Sequence, residues 1–417
     1  MFVQMHMLQS MPPGNLNRDD TGQPKKCLFG GTTRGRISSQ CLKRNMRRFS
    51  IFQEVFGESL AHRTRLFPTL VANEMRDLNL ISEDETEGVR VGVKKLFGGK
   101  DKKGPTDENQ GSSDRAEDSV PQKSPSKNKS SDKTSQVVFF PPLFVKKVAE
   151  LLGSLKKDSK AWDRFTLKKK KKDDKDDDAD QVLKACWAEA YKAKESLSVD
   201  IALFGRMTTS ALIQNVEASC QVAHAIGTHE TLTESDYFTA VDELDGGGGA
   251  GFVSDSEAVT FFNAAVYYKY LNVDTDTLMR TLGECGAGHA QRATGVLLRA
   301  AALATPTGKQ NSFAAHSVPE LILVEMSQCK QPISYANAFL QAVQGQDLMR
   351  ESAQALSNYC GSIASAYAPP DVQRFLLTVG SAASVSFPLE TIQAATLLEL
   401  ANLVEGVLLS PAAVGAV

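Results

Sequence analysis

NLNRDDTGQPKKCLFGGTTRGRISSQCLKRNMRRFS, residues 15–50, carries nine Lys or Arg against two acids, Asp19 and Asp20. This stretch has a charge of +7 in a 417-residue chain of formal net charge −2, so the remainder carries −9. A local positive patch on a mildly acidic protein points to a polyanionic partner at one place. Ser38 and Ser39 are good helix N-caps, and Gln40–Phe49 then reads as a helix with Leu42, Met46 and Phe49 on one face. Lys43 with Arg47, and Arg44 with Arg48, form i,i+4 pairs on the other side. Like charges at that spacing repel weakly, so the helix gains from them only where an anion sits. Its N-terminus offers free backbone N–H groups and the positive end of the dipole. Gly30 and Gly31 before it permit a turn or a close backbone approach to a ligand. The expectation is a phosphate-backbone cradle; the competing reading is a solvated basic face.

The chain is long enough for one large domain or two, and 42% hydrophobic residues suffice for a substantial core. No uninterrupted apolar run reaches 18 residues, so no membrane span is expected. The opening MFVQMHMLQSM lacks the basic and long apolar regions of a secretory signal. Seven cysteines are scattered singly, with no C-x-x-C, which suits a reduced, cytoplasmic protein. Six histidines show no zinc spacing, so neither a metal nor a cofactor is expected. No phosphate-binding G-x-x-x-x-G-K-[ST] occurs, and the glycines at 246–251 have no following Lys. Asp19 and Asp20 point apart as neighbours and sit among arginines, which suits salt bridging better than catalysis. His6 is the sole candidate for a His-based ribonuclease; its plainer reading is a half-buried polar residue on a strand.

Residues 2–9 alternate as a first strand, and with the basic helix they begin a β-α arrangement. Arg63–Leu80 reads as helix. Residues 98–136 hold eight basic and seven acidic residues and almost nothing apolar, the composition of a disordered insertion. Helix resumes near Leu143, followed by Lys168–Lys172 and five aspartates. Ala179–Glu195 reads as a helix with Leu183, Trp187 and Tyr191 inward. Val199–Phe204 reads as a strand and Ala211–Val222 as a possible helix. The polar segment from His224 to about Phe261 reads as an extension from the body. Val259–Tyr270 has β character, Ala287–Leu303 is helical, Val318–Met326 suits a buried strand, and Tyr335–Tyr359 a long helix. Three or four strands with helices between them suit a split β-α-β, ferredoxin-like sheet with large insertions.

NRDD at 17–20, FGG at 29–31 and RISSQ-x-LKR-x-MR at 36–47 resemble the N-terminal signature of the CasC (Cse4) family. These are the repeated crRNA-binding backbone subunits of the type I-E CRISPR surveillance complex, Cascade. DIALFGRM at 200–207, AHAIGTHE at 223–230, DYFTAVDEL at 236–244 and ISYANAF at 333–339 continue the resemblance in family order. Residues 98–136 and the lysine run depart from the pattern.

The resemblance implies an α+β protein with an RNA-recognition-motif-like (ferredoxin-like) palm, helical insertions as fingers, and a projecting thumb. The palm would comprise residues 1–97, 197–222 and 258–417. A disordered insertion would span 98–136, a finger-type insertion 137–196, and the thumb 223–257. Ser38, Gln40, Lys43, Arg44 and Arg47 fall on family positions that contact guide RNA, and Arg18, Arg34 and Arg36 join them on the basic stretch. Met207 would lie on the body side, and Phe238 would wedge against a displaced nucleotide. From the sequence alone, Met207 and Phe238 read as core packing. The implied protein is no enzyme. It polymerises along crRNA, holds its phosphates and presents bases to target DNA. Its partners would be crRNA, target DNA, neighbouring copies, and the large, small, cap and crRNA-processing endonuclease subunits, with no membrane. The alternatives are a type III-like RNA-cleaving backbone subunit and a stand-alone RNA-binding module.

Overall fold

The computed structural model describes residues 1–97, 133–134, 136–166, 177–208, 210, 212–237, 240–241, 250–251, 259–283, 286–367, 369 and 371–409. Phe238, the lysine run at 168–172 and nearly all of 98–136 lie outside the described residues.

The chain opens with β1 (Phe2–Gly14), β2 (Lys26–Phe29) and β3 (Thr32–Ile37), then α1 (Ser39–Arg48) and α2 (Ser50–Phe56). A second group follows: β4 (His62–Thr64), α3 (Phe67–Asp77), α4 (Thr86–Phe97), β5 (Val138–Phe140), α5 (Pro142–Leu155), α6 (Ser159–Thr166) and α7 (Asp177–Lys192). The chain then returns through α8 (Val199–Phe204), β6 (Cys220–Val222) and β7 (Ala225–Gly227). The short strands β8 (Glu234–Tyr237), β9 (Ala240–Val241) and β10 (Ala250–Gly251) precede the long β11 (Val259–Asp274). The last third is α9 (Thr275–Leu282), α10 (Gly286–Leu303), α11 (Gln310–Phe313), β12 (Leu321–Ser327), α12 (Leu348–Tyr367), β13 (Gln373–Thr378), β14 (Ile392–Gln393) and α13 (Leu397–Leu409).

The fold is α+β, built on one large sheet ordered β14-β13-β12-β1-β11-β7-β3-β2. β1 lies at its centre and pairs antiparallel with both β11 (Leu8 opposite Tyr268) and β12 (Leu8 opposite Leu321). The inner strands β12-β1-β11-β7 trace β1-α1-β7-β11-α10-β12, the β-α-β-β-α-β arrangement of a ferredoxin-like unit. β1 is buried along nearly its whole length because both faces of the sheet are covered. Alternate residues divide between the faces. Val3, Met5 and Met7 join the core under α1, α10 and α13. Leu8 joins the opposite core, which α12 closes through Met349, Ala353, Leu356 and Cys360.

A second hydrophobic core sits beside the sheet. Phe67, Phe140 and Phe144 meet there, with Trp162 and Phe165. α3 and α4, in the stretch grouped with the palm by sequence, contribute Phe67, Val71, Met75, Val89 and Val93 to this core. A short antiparallel pair joins the two bodies, with His62 opposite Phe140 and Arg63 opposite Phe139. Among the described residues no helix is long and apolar enough to cross a membrane.

Several local expectations change. Residues 199–204 form α8, not a strand, and all six side chains are buried. An apolar run of that length does not distinguish a buried helix from a strand. The described part of 211–222 is irregular until β6, and the helix expected from Tyr335 begins only at Leu348. Residues 63–66 belong to β4 and a turn, so α3 starts later than the periodicity suggested. On α7, Leu183 and Trp187 pack partly against the second core, whereas Tyr191 is exposed.

Candidate nucleic-acid interface

The basic stretch is built outward from Asn17. Its side-chain oxygen accepts the Ser38 N–H (2.9 Å), and its carbonyl accepts the Lys25 N–H (2.8 Å). Asp19 closes a turn, with the Lys26 charge also acting on it. Its Oδ1 accepts the N–H and hydroxyl of Thr21 and the N–H of Gln23, a tight turn in which a carboxylate replaces a backbone acceptor. Burial would raise the Asp19 carboxyl, but these bonds and Lys26 hold it below the ordinary range. Ser38 caps α1 as expected, its Oγ accepting the Cys41 N–H (3.3 Å). It is buried, so its hydroxyl serves the helix, while Gln40 on the first turn is exposed.

Two residues thought to face a ligand are turned inward. Arg34 has 0% exposure. It donates to the carbonyls of Gly227 (3.1 Å), Thr228 (2.8 Å), Phe339 (3.0 Å) and Leu340 (3.4 Å), and to the Thr32 hydroxyl (2.6 Å). It clamps the β2–β3 hairpin to the sheet edge and is removed from the RNA-facing set. Gly30, at φ +59°, packs so closely on Leu340 that a side chain would overlap the Leu340 carbonyl. Its close approach is to the protein itself. His6 has 0% exposure too, enclosed by Tyr268, Tyr270 and Tyr335, which removes it as a surface ribonuclease candidate.

α1 buries Cys41, Leu42, Asn45 and Met46 and divides its remaining side chains between two flanks. On the first flank Lys43 lies toward β6, where its charge opposes the burial that pushes the Cys220 thiol up to about 12. Beyond it, Arg36 donates to Nδ1 of His224 (3.0 Å). Desolvation, Arg36 and Lys25 together lower the His224 pKa, and its Nδ1, facing a guanidinium that can only donate, accepts. The Arg36 Nε is buried with no hydrogen-bond partner among the described residues. Arg18 is half-buried and bridges to Pro24.

On the second flank Arg44, Arg47 and Arg48 line a cavity of about 1010 Å³ together with His62 and Arg63. Arg47 donates to the Ala61 carbonyl (2.8 Å) and lies 3.4 Å from the Asp200 carboxylate. Arg47 and Arg63 both sit over the Phe139 ring, at 5.0 and 4.8 Å from its centroid. Desolvation and the Arg47 charge lower the Arg63 pKa, and Asp200 partly offsets them. The sequence reading missed His62, Arg63, Asp200 and His224. The signal for the first two was the alternating His62-Arg63-Thr64-Arg65, which fits a strand better than a helix.

Met207 is 94% exposed. The preceding Arg206 is buried, donating to the carbonyls of Ser196 (2.6 Å) and Gln214 (3.0 Å), and its backbone bridges to Val216. That anchor holds Met207 out in solvent, so the core-packing reading fails for it.

A family model described as "CT1975-like protein" matches residues 3–405. A solved structure titled "CRISPR RNA-guided surveillance complex, pre-nicking" contains a chain 27% identical to this one. The match covers 99% of this chain and 100% of the other at a TM-score of 0.73. A second, titled "CRISPR RNA-guided surveillance complex", is similar in fold at 24% identity and a TM-score of 0.66, covering 98% and 100% of the two chains. No curated protein matches the sequence.

Proposed function

This chain belongs to the CT1975-like protein family, and from that premise we propose that it is a subunit of a CRISPR RNA-guided surveillance complex. Its role is that of the type I-E backbone subunit. Copies line up along one crRNA, each holding phosphates while leaving bases free to pair with target DNA. We assign it no reaction of its own. Its partners are the crRNA, the target DNA, neighbouring copies and the remaining Cascade subunits.

The end-to-end likeness to a chain of such a complex carries the reading. The first flank of α1 supports it chemically. Gln40 and Lys43 lie on a helix whose N-terminus Ser38 caps, Arg36 stands two residues before that cap, and the Arg36 Nε lacks an acceptor that a phosphate oxygen would supply. The contacts are to backbone chemistry, so sequence is left to base pairing. On this reading Met207 lies beside the RNA path, and Phe238 belongs to the arm that reaches a neighbouring copy.

The test is co-expression with a CRISPR transcript. The particle should co-purify with RNA, grow in mass with guide length and image as a filament-like arc. Lys43→Ala should lower the salt slope of log K for single-stranded RNA by about 0.7. A particle whose mass ignores guide length, or a labelled guide cut by the purified subunit, overturns the proposal.

A further inference from the structure

β11 changes partners along its length. Its C-terminal part pairs with β7, Tyr267 opposite Gly227, and its N-terminal end pairs with β8, Phe262 opposite Glu234. Between these pairings residues 229–233 face the shorter 263–265, so the ladder cannot run through. β1, on the other side of β11, shifts register at the same level, between Met11 and Gly14. All four residues of β8 are exposed. β8 and the end of β11 paired with it thus form the root of an arm, set on the sheet through an irregular joint.

His229 closes that joint. Thr228 donates its N–H to the Val266 carbonyl (2.8 Å), and an antiparallel ladder would return the Val266 N–H to the Thr228 carbonyl. That carbonyl already accepts from Arg34 (2.8 Å) and from the Val343 N–H (3.0 Å), which occupies both its lone pairs. The Val266 N–H goes instead to Nε2 of His229 (3.1 Å). The other ring nitrogen, Nδ1, lies 2.7 Å from the Glu230 carbonyl and donates to it. One nitrogen has to accept and the other to donate, so the ring is neutral with its proton on Nδ1. A ladder bond, ordinarily made by groups that do not titrate, is here delegated to one that does.

We propose that His229 is the positioning residue of the arm root, and that protonation of its ring releases the root from the sheet. The inference rests on the proposed function and deepens it, since the arm is the part that would reach a neighbouring copy. A second ring proton sets an N–H at Nε2 against the Val266 N–H, two donors with no acceptor between them. Among the described residues, the charge acting on the ring is that of Arg34 from β3. Glu230, whose carboxylate acts on Arg34, offers the ring its carbonyl, and β11 offers the Val266 amide. Desolvation lowers the His229 pKa from 6.5, the bond to Glu230 partly offsets it, and Arg34 adds to it. A depressed histidine contributes stability that is complete above 6.5 and is lost as pH falls through its folded value.

The experiment reads amide-exchange protection at Val266 and over 259–262, corrected for the intrinsic rate at each pH, from about pH 7.5 to about pH 5. That range stays above the 4.5 from which Glu325 begins to titrate. The proteins are the wild type, His229→Gln and His229→Leu. The glutamine oxygen accepts the Val266 N–H without titrating, and leucine fills the space without an acceptor. Wild-type protection at Val266 should fall about tenfold on acidification, the worth of roughly one hydrogen bond. His229→Gln should keep its protection throughout, and His229→Leu should lack it throughout. His224, beside Arg36 ahead of β7, is common to all three proteins and cannot produce the difference. A flat wild-type profile, an equal acid loss in His229→Gln, or wild-type protection in His229→Leu overturns the inference. Copies per guide RNA are then counted by mass. His229→Leu should assemble fewer copies at neutral pH while binding short single-stranded RNA as the wild type does. Exchange that behaves as expected with an unchanged copy number leaves the His229 joint standing and overturns the arm's part in copy-to-copy contact.

Discussion

Replacing Arg34 with leucine separates two roles that the basic stretch superimposes. As a phosphate contact, Arg34 would leave the fold intact and take one unit of electrostatics with it. As a clamp, it would do the reverse. The side chain donates to four carbonyls and one hydroxyl with no exposure to water. Arg34→Leu takes a donor from each of those acceptors, although the Thr228 carbonyl keeps the Val343 N–H. Each buried acceptor left unpaired costs about 1–3 kcal/mol. Water can reach some of them once the guanidinium is gone, so the total is about 3–5 kcal/mol. At roughly 2 °C per kcal/mol for a chain of this size, the melting temperature should fall by about 6–10 °C. Arg34→Lys keeps the charge but not the fork, reaches fewer of the carbonyls, and should recover less than half of the loss. Scanning fluorimetry gives the melting temperatures, and a salt series below the transition gives the slope for single-stranded RNA. The clamp predicts a large thermal loss with an unchanged slope. A melting temperature within about 2 °C of wild type, with a slope reduced by about 0.7, would return Arg34 to the RNA-binding set and refute the argument.

Two further outcomes follow from the opposite side of the sheet and from the hairpin tip. Burial pushes the Glu325 carboxyl up from 4.5, but His6, Tyr335 and Arg374 hold it down to about 2. A depressed carboxyl contributes stability that is present above its unfolded pKa and lost as pH falls through 4.5 toward 2. That contribution is about 3 kcal/mol. Wild-type melting temperature should therefore drop steeply across that window, and Glu325→Gln should be less stable at neutral pH with a flatter acid profile; parallel profiles would show that Glu325 stays charged for other reasons. Gly30→Ala combines a positive φ that costs roughly 1–2 kcal/mol with an overlap on the Leu340 carbonyl, so it should destabilise the hairpin, measured as faster amide exchange over 26–36. Unaltered exchange there would mean that the hairpin shifts without cost.

Much of the fold was legible because apolar periodicity survives in a single sequence. β1, α1, α10 and β12 all form near the places their patterns suggested. The failures share a cause. Val199–Phe204 is apolar at every position but Asp200, and a stretch buried all round loses the period that separates helix from strand. The start of α3 was misplaced because His62-Arg63-Thr64 takes its extended form from β5, some 75 residues on. A two-strand pairing of that kind is a tertiary fact, and local propensity does not contain it.

The candidate interface shows the limit more sharply, because charge is legible in a sequence and direction is not. Residues 34–48 contain six basic side chains that look equivalent on paper. Arg34 finds its acceptors at Gly227, Thr228 and Phe339, on segments roughly 190–300 residues away, and turns inward. Arg47 is held by Asp200 and half-buried, because an i,i+4 partner of Lys43 also faces the seam with the second core. Lys43 and Arg48, only five apart, end on opposite flanks of one helix; five residues rotate the side chain by about 140° beyond a full turn. A helical wheel gives that angle, but not what stands on each side. β6 stands on one flank and β4 on the other, and those neighbours decide whether a cation meets a strand, a carboxylate or solvent. Arg63, outside the basic stretch altogether, becomes a cavity residue because its cross-strand partner is Phe139. The basic helix marks the interface, while its insertion neighbours determine how many sides of it are available to a polyanion.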